Sequence, residues 1–240
     1  FDIGGTCKRA IENYLAGGHP VKCGMSHYAN NGNGSLMRIL PVAFVCHNNQ
    51  ITGEKRYELV KNISSLTHAH PISVLGCLIY TNFVCHLLDG DNPKEAYRKT
   101  QLDNYGMFEP EERSLYSRIL KNQIYHYPKG YIPSRAYVVD TLEAVLWSFL
   151  TTDNFQDAVL AAINLGDDTD TIGALTGALA GIQYGLKSIP EKWVTTLKRG
   201  RYLVKLCDQF AETEIDTTDI SPESTSTPRI ETTNLNRLGA

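Results

Sequence analysis

Four things are missing from this 240-residue chain: a Cys-x-x-Cys pair, an apolar run long enough to cross a bilayer, a cluster of basic residues, and a methionine at its start. Without paired spacing, the six cysteines give neither a disulfide framework nor a zinc site. Most have apolar neighbours, as in VLGCLIY and NFVCHLL, and read as reduced, buried thiols of a cytoplasmic protein. The longest charge-free apolar stretches, 71–85 and 171–186, fall short of the roughly 20 residues a spanning helix needs, and no signal peptide is visible, so no membrane role is expected. With 23 Lys and Arg scattered along the chain and a net charge of -3, nucleic acid is not an expected partner either. A chain that opens at Phe1, inside a usable motif, is expected to be a fragment of something longer.

Sustained period-two alternation is also absent, which argues against strands. What is present has helical spacing. Ala10, Ile11, Tyr14 and Leu15 fall at helical intervals in 6–16, as do Leu59, Val60, Ile63 and Leu66 in 57–67. The segment 72–88 is apolar nearly all round and reads as a buried helix. Two amphipathic stripes follow, one through Leu142, Val145, Leu146, Phe149 and Leu150, the other through Phe155, Ala158, Val159, Ala162 and Ile163. A chain of this length with 42% hydrophobic residues supports one sizeable all-α domain, placed at 1–210. From Ala211 the chain turns polar and rich in Thr, Ser and acids, so 211–240 reads as a disordered or loosely attached tail.

Between the stripe ending at Ile163 and a new apolar pattern starting at Ile172 lies NLGDDTDT, with three carboxylates in four positions. One Asp suffices to cap a helix N-terminus. Three repel one another unless a cation sits among them, and hydroxyl and carboxylate oxygens suit a hard divalent ion such as Mg²⁺ or Mn²⁺. Spacing alone leaves both readings open. The following Gly173, Gly177, Gly181 and Gly185 line up a groove in which another helix can pack closely and hold the acidic loop rigidly.

The segment NLGDDTDTIGALTGALAGIQYG resembles the C-terminal metal motif of the ADP-ribosylglycohydrolase family. FDIGGT at the start, NGNGSLMRILPVAF at 31–44 and YVVDTLEAVLWSFLTTDNFQDAVL at 137–160 match further family segments in order, and LTHAHP at 66–71 matches more weakly. The resemblance implies a compact multi-helix orthogonal bundle that removes ADP-ribose from a protein side chain or small-molecule acceptor, through two Mg²⁺ ions with Mn²⁺ as an alternative. The expected partner is an ADP-ribose-bearing protein or ADP-ribose derivative, and the expected state is a monomer. Asp168, Asp170 and Thr171 are the implied metal ligands, with Asp167 standing where the family more often has Gly. The family's N-terminal Thr-Asp-Asp motif is not found in its place, which truncation explains better than divergence. A catalytically silent relative, used structurally in the manner of crystallins or as an ADP-ribose-binding protein, is the alternative.

The remaining candidates have physical readings of their own. The loop NGNGS exposes backbone N–H groups suited to a diphosphate, so Asn33, Gly34, Ser35 and Met37 are expected to bind substrate. Arg38 reads either as a phosphate contact or as half of an ion pair. His68 reads as a packing residue or a ligand contact, and the resemblance favours the contact. Tyr137, at a helix start, offers a ring to an adenine or to the core. Asp2 precedes two glycines and is either a helix cap or, by resemblance, a catalytic residue that orients the acceptor or assists proton transfer.

Overall fold

A computed structural model describes residues 3–213 and 215. Asp2 and most of the polar tail lie outside the described residues. In chain order the helices are α1 Gly5–Leu15, α2 Leu40–Asn48, α3 Gly53–Ser65, α4 Pro71–Leu88, α5 Pro93–Leu102, α6 Pro110–Leu115, α7 Ser117–Leu120, α8 Val138–Leu150, α9 Phe155–Ile163, α10 Thr169–Tyr184, α11 Glu191–Thr196 and α12 Gly200–Glu212. No strand occurs among the described residues. Two isolated bridges, Met25 with His68 and Gly32 with Tyr137, tie loops together. The protein is all-α, as its periodicity implies.

α4 forms the centre because nothing in it needs water. Pro71 stands in its first turn, where a missing N–H costs nothing, and the His70 ring accepts the Ile72 N–H at 3.2 Å. By length and composition it would pass for a membrane span, yet 83% of it is buried inside the protein. α2, α3, α5, α6, α8 and α10 all pack against it. The Tyr80 hydroxyl donates to the Leu175 carbonyl at 3.2 Å and ties α4 to α10.

α8, α9 and α10 pack on one another, and the glycine stripe explains how closely. A Cβ at Gly173 would lie 3.0 Å from Ile163 Cγ2, and one at Gly177 3.5 Å from Val159 Cγ2. α9 therefore lies on the first half of the stripe. Gly181 meets nothing within 4 Å, and Gly185, at φ 79°, ends the helix. α10 starts at Thr169 rather than near Ile172, because the Asp168 carbonyl already accepts the Ile172 N–H at 3.2 Å. Asp170 and Thr171 consequently sit on its first turn.

The N-terminal helix departs from its periodicity in one respect. Of the four apolar positions in α1, only Ala10 is buried, while Ile11, Tyr14 and Leu15 are exposed. α12 likewise presents Tyr202, Leu203, Val204, Leu206 and Phe210 at the surface, and it carries the chain to Glu212, past the composition change at 211.

Gly76 marks the tightest approach to α4. A Cβ there would lie 2.5 Å from Tyr116 Oη and 2.9 Å from Val138 Cγ2. The tyrosine cannot step aside cheaply, since its buried hydroxyl donates to the Ile72 carbonyl at 2.7 Å. Gly76→Ala is expected to cost about 1–3 kcal/mol, read by calorimetry as a fall in Tm of about 2–4 °C per kcal/mol. An unchanged Tm would show that α4, α8 and Tyr116 are less closely packed than described.

Candidate functional site

Asn33 is the junction of three distant segments. Its side-chain amide donates to the Asp168 carboxylate and, at 2.9 Å, to the Thr141 hydroxyl on α8. Its backbone N–H donates to the Ala136 carbonyl at 3.0 Å. The glycine loop, the start of α8 and the acidic loop thereby meet at one buried amide. α4 supports the arrangement from below: Ser73 donates to the Asn31 side chain at 2.8 Å, and the Cys77 thiol to the Ser35 hydroxyl at 3.4 Å.

The acidic loop is shaped by its backbone. Gly166 and Asp167 both take positive φ, 92° and 51°, and turn the chain so that Asp168 faces Asn33. None of the three aspartates caps α10. Asp168 occupies the cap position without a capping hydrogen bond, Asp170 accepts the N–H of its neighbour Thr171 at 2.8 Å, and Asp167 accepts from the Ser134 hydroxyl at 3.3 Å. Asp170 thus meets one of the free first-turn N–H groups of α10 from within the helix, while Asp167 and Asp168 meet none. Burial pushes the Asp168 carboxyl up; hydrogen bonding from Asn33 opposes this and the adjoining Asp170 adds to it. Asp170 is held below the usual range by its contact with Asp168 and by the Thr171 N–H.

Two touching carboxylates normally answer to a cation. Among the described residues no Lys, Arg or His pairs with Asp167, Asp168 or Asp170. The oxygen donors of Asp168, Asp170 and the buried Thr171 fit a hard divalent ion by type and charge. Among the described residues no three His, Cys, Asp or Glu side chains converge, so these donors alone do not complete a site.

The other candidates gather beside this centre to different degrees. A Cβ at Gly34 would lie 2.8 Å from His68 Cε1 and 3.1 Å from Cys7 Sγ, so glycine is what lets the loop lie on the histidine. His68 is buried, its Nδ1 paired with the Thr67 hydroxyl at 2.7 Å, and its Nε2 is 3.7 Å from where a Gly32 Cβ would be. Ser35 is fully buried against Cys77, whereas Met37 is 52% exposed. Among the described residues, the Gly34 and Ser35 N–H groups donate to no backbone carbonyl. Arg38 forms no ion pair among the described residues; its guanidinium donates to the carbonyls of Gly34 at 2.6 Å and Ile63 at 3.0 Å. Tyr137 is half-buried at the head of α8, its ring near Tyr28, which packs edge-on to His70 at 5.8 Å.

Two residues of the centre carry no motif signal strong enough to single them out. Thr141 lies within the matched segment 137–160 but looks there like an ordinary helix position. Ser134 sits in a loop of no distinctive composition, yet its carbonyl accepts the Asp168 N–H at 3.1 Å. The loop around it separates cavities of about 520 and 510 Å³, which share Gly130, Ile132, Pro133 and Arg135 as lining. The first is also lined by Tyr137 and Glu143, the second by Ser134 and Asp167.

A helical scaffold whose loops converge on an oxygen-rich carboxylate centre beside a glycine loop defines a narrow class. The sequence profile of the ADP-ribosylglycohydrolase family matches residues 1–219, and the chain belongs to that family. It is 32% identical over 218 residues to the ADP-ribosylarginine hydrolase Tri1 of Serratia proteamaculans, a match covering 88% of this chain and 54% of that protein. It is 34% identical over 202 residues to the ADP-ribosyl-[dinitrogen reductase] glycohydrolase of Rhodospirillum rubrum, covering 82% of this chain and 60% of that one. The solved structure of an ADP-ribosylglycohydrolase-related protein complex superposes with a TM-score of 0.72 at 26% identity, over 86% of this chain and 68% of that chain. The chain spans little more than half the length of these curated relatives.

Burial, followed by the nearby positive charge of Arg38, lowers the His68 pKa from 6.5 to about 4. Between those values the unfolded chain binds more protons than the folded one, so stability rises with pH across that window and the contribution is complete above pH 6.5. Acidification from pH 7 to 4 should remove up to about 3 kcal/mol through this ring. Urea titrations at several pH values should show that slope in wild type and a shallower one in His68→Asn; equal slopes would mean that His68 protonates freely in the fold.

Proposed function

We propose that this chain carries metal- and substrate-binding parts of an enzyme that hydrolyses the bond between the distal ribose of ADP-ribose and a protein side chain. The observation that carries the reading is the link from Asn33 to Asp168, because it couples a loop suited to a diphosphate with a donor set suited to Mg²⁺. The names of the relatives, which act on ADP-ribosylarginine and ADP-ribosyl-dinitrogen reductase, support an ADP-ribosylated protein as substrate.

Asp168, Asp170 and Thr171 would hold Mg²⁺, or Mn²⁺ in its place, with the remaining ligands of a two-ion site coming from outside the described residues. Bound there, the ion supplies Lewis acidity and a template for ribose hydroxyls and water. Asn33 keeps the Asp168 carboxylate turned into the site, as outer partners of metal ligands generally do. The Gly34 and Ser35 N–H groups receive the diphosphate oxygens. His68 stays neutral beneath the loop, so its Nε2 serves as a hydrogen-bonding group rather than as a charge. Tyr137 and Tyr28 offer aromatic surface to the adenosine end, and Asp2 is proposed to orient the departing acceptor.

Isothermal titration of this chain with ADP-ribose, with and without Mg²⁺, tests the reading. Binding should depend on Mg²⁺, be lost in Asp170→Asn, and weaken roughly 10–100-fold in Asn33→Ala, and the protein that carries this chain should release ADP-ribose from a modified arginine peptide. ADP-ribose affinity that is indifferent to chelator and to both substitutions would overturn it. Mg²⁺-dependent binding without turnover in the protein that carries this chain would make it a silent, ADP-ribose-binding protein instead.

A further inference from the structure

The acidic loop and the glycine loop are both referenced to one intervening segment, 127–136, and that segment has its own anchor. Arg118, on α7, reaches it in two ways. Its Nη2 donates to the Tyr131 carbonyl at 2.9 Å, and its guanidinium stacks on the Tyr127 ring at 4.3 Å. In a third direction its Nη1 lies 2.9 Å from Glu143 Oε2 on α8. Three residues beyond Tyr131, the Ser134 carbonyl accepts the Asp168 N–H at 3.1 Å and the Ser134 hydroxyl donates to Asp167. Two residues further, the Ala136 carbonyl accepts the Asn33 N–H at 3.0 Å. We propose that Arg118 and Glu143 are positioning residues, which fix segment 127–136 against α8 and so set the spacing between the metal-side loop and the glycine loop.

Three observations favour positioning over plain stabilisation. The Glu143 side chain is only 4% exposed, and a buried ion pair commonly returns less than its desolvation cost. Contact with Arg118 is close but not aligned as a hydrogen bond: Glu143 Oε2 and Arg118 Nε are both buried without a hydrogen-bond partner among the described residues. An arrangement selected for stability alone would satisfy those atoms or replace them with apolar side chains of similar volume. Only a planar, forked cation meets a carboxylate, a carbonyl and a ring at once, which lysine cannot do.

α8 is the fixed reference for the whole device. It carries Glu143 for Arg118, Trp147, whose Nε1 donates to the Tyr127 carbonyl at 2.9 Å, Asp140 for Arg135 at 2.8 Å, and Thr141 for Asn33 at 2.9 Å, so one rigid helix meets the segment near both its ends and the glycine loop directly. A shift of Tyr131 has only a short stretch of chain in which to dissipate before it reaches Ser134. The loss of Arg118 or Glu143 is therefore expected to appear at Asp168 and Asn33, residues neither of them touches.

This inference rests on the proposed function for what the two loops do, but its first test needs no ligand. Amide hydrogen exchange by NMR on the full chain reads the Asp168 and Asn33 N–H groups directly, with α4 amides as an internal standard. In Glu143→Gln and Arg118→Met, exchange at Asp168 and Asn33 should accelerate by about tenfold, as expected for one hydrogen bond weakened at each, while α4 amides keep their wild-type rates. Arg118→Lys, which keeps the charge opposite Glu143 and loses the fork, should show the same acceleration and covers the case in which Arg118→Met does not fold. Wild-type protection at both amides, or equal acceleration throughout α4, would overturn the proposal. A second arm, Mg²⁺ titration, should show weaker binding in Glu143→Gln. If the wild-type chain binds neither Mg²⁺ nor ADP-ribose, the functional reading fails and the exchange measurement still decides the positioning role.

Discussion

Everything at the centre of this molecule depends on one side-chain amide placed against one carboxylate. Asn33 and Asp168 are brought together from opposite ends of the fold, and the amide spends its donors on Asp168 and Thr141 while its backbone N–H goes to Ala136. A buried amide so placed tolerates no shift, since each lost partner leaves a polar group without water. The carboxylate needs the amide equally, because Asp170 stands against it and no basic residue among the described ones relieves the repulsion.

The rest of the fold can be understood as what keeps that contact in place. α4 contributes an apolar column with Ser73 and Cys77 set into it where the glycine loop rests. α9 lies close on α10 because Gly173 and Gly177 carry no side chain, and the acidic loop between them is left little freedom. His68, kept neutral by burial, supports Gly34 from beneath without adding charge near the aspartates. On the first turn of α10, Thr171 is covered while Asp170 is exposed.

Much of this was legible in the residues alone, and the reasons differ by element. α8 buries the whole stripe its sequence marks, α9 buries Phe155, Ala158 and Ala162 of its stripe while Ile163 is exposed, and α4, apolar nearly all round, is buried nearly all round. The acidic loop stood out because three carboxylates in four positions have few uses. α1 departs from its pattern, since Ile11, Tyr14 and Leu15 are exposed among the described residues, and periodicity reports the face a helix could bury rather than what covers it. α10 starts ahead of its apolar pattern because Asp168, Thr169 and Asp170 interrupt that pattern while the backbone already turns. Ser134 and Thr141 were invisible for a deeper reason: one contributes a carbonyl, which every residue has, and the other a hydroxyl in the middle of a helix. Arg38 shows a use that guanidinium chemistry alone does not suggest, since it holds the backbone carbonyls of Gly34 and Ile63.

Family membership gives the fold a context, and the chemistry at this centre decides what the chain contributes to it. If Asp168, Asp170 and Thr171 form the metal-holding side and Asn33 to Ser35 the adjoining wall, a paramagnetic ion should find both at once. Sub-stoichiometric Mn²⁺ added to the isotopically labelled chain is the most direct measurement. The account predicts that the amides of residues 168–171 and 33–35 broaden before any others. Sharp signals there, with broadening first around Asp89 and Asp103 at the other end of α4, would contradict it.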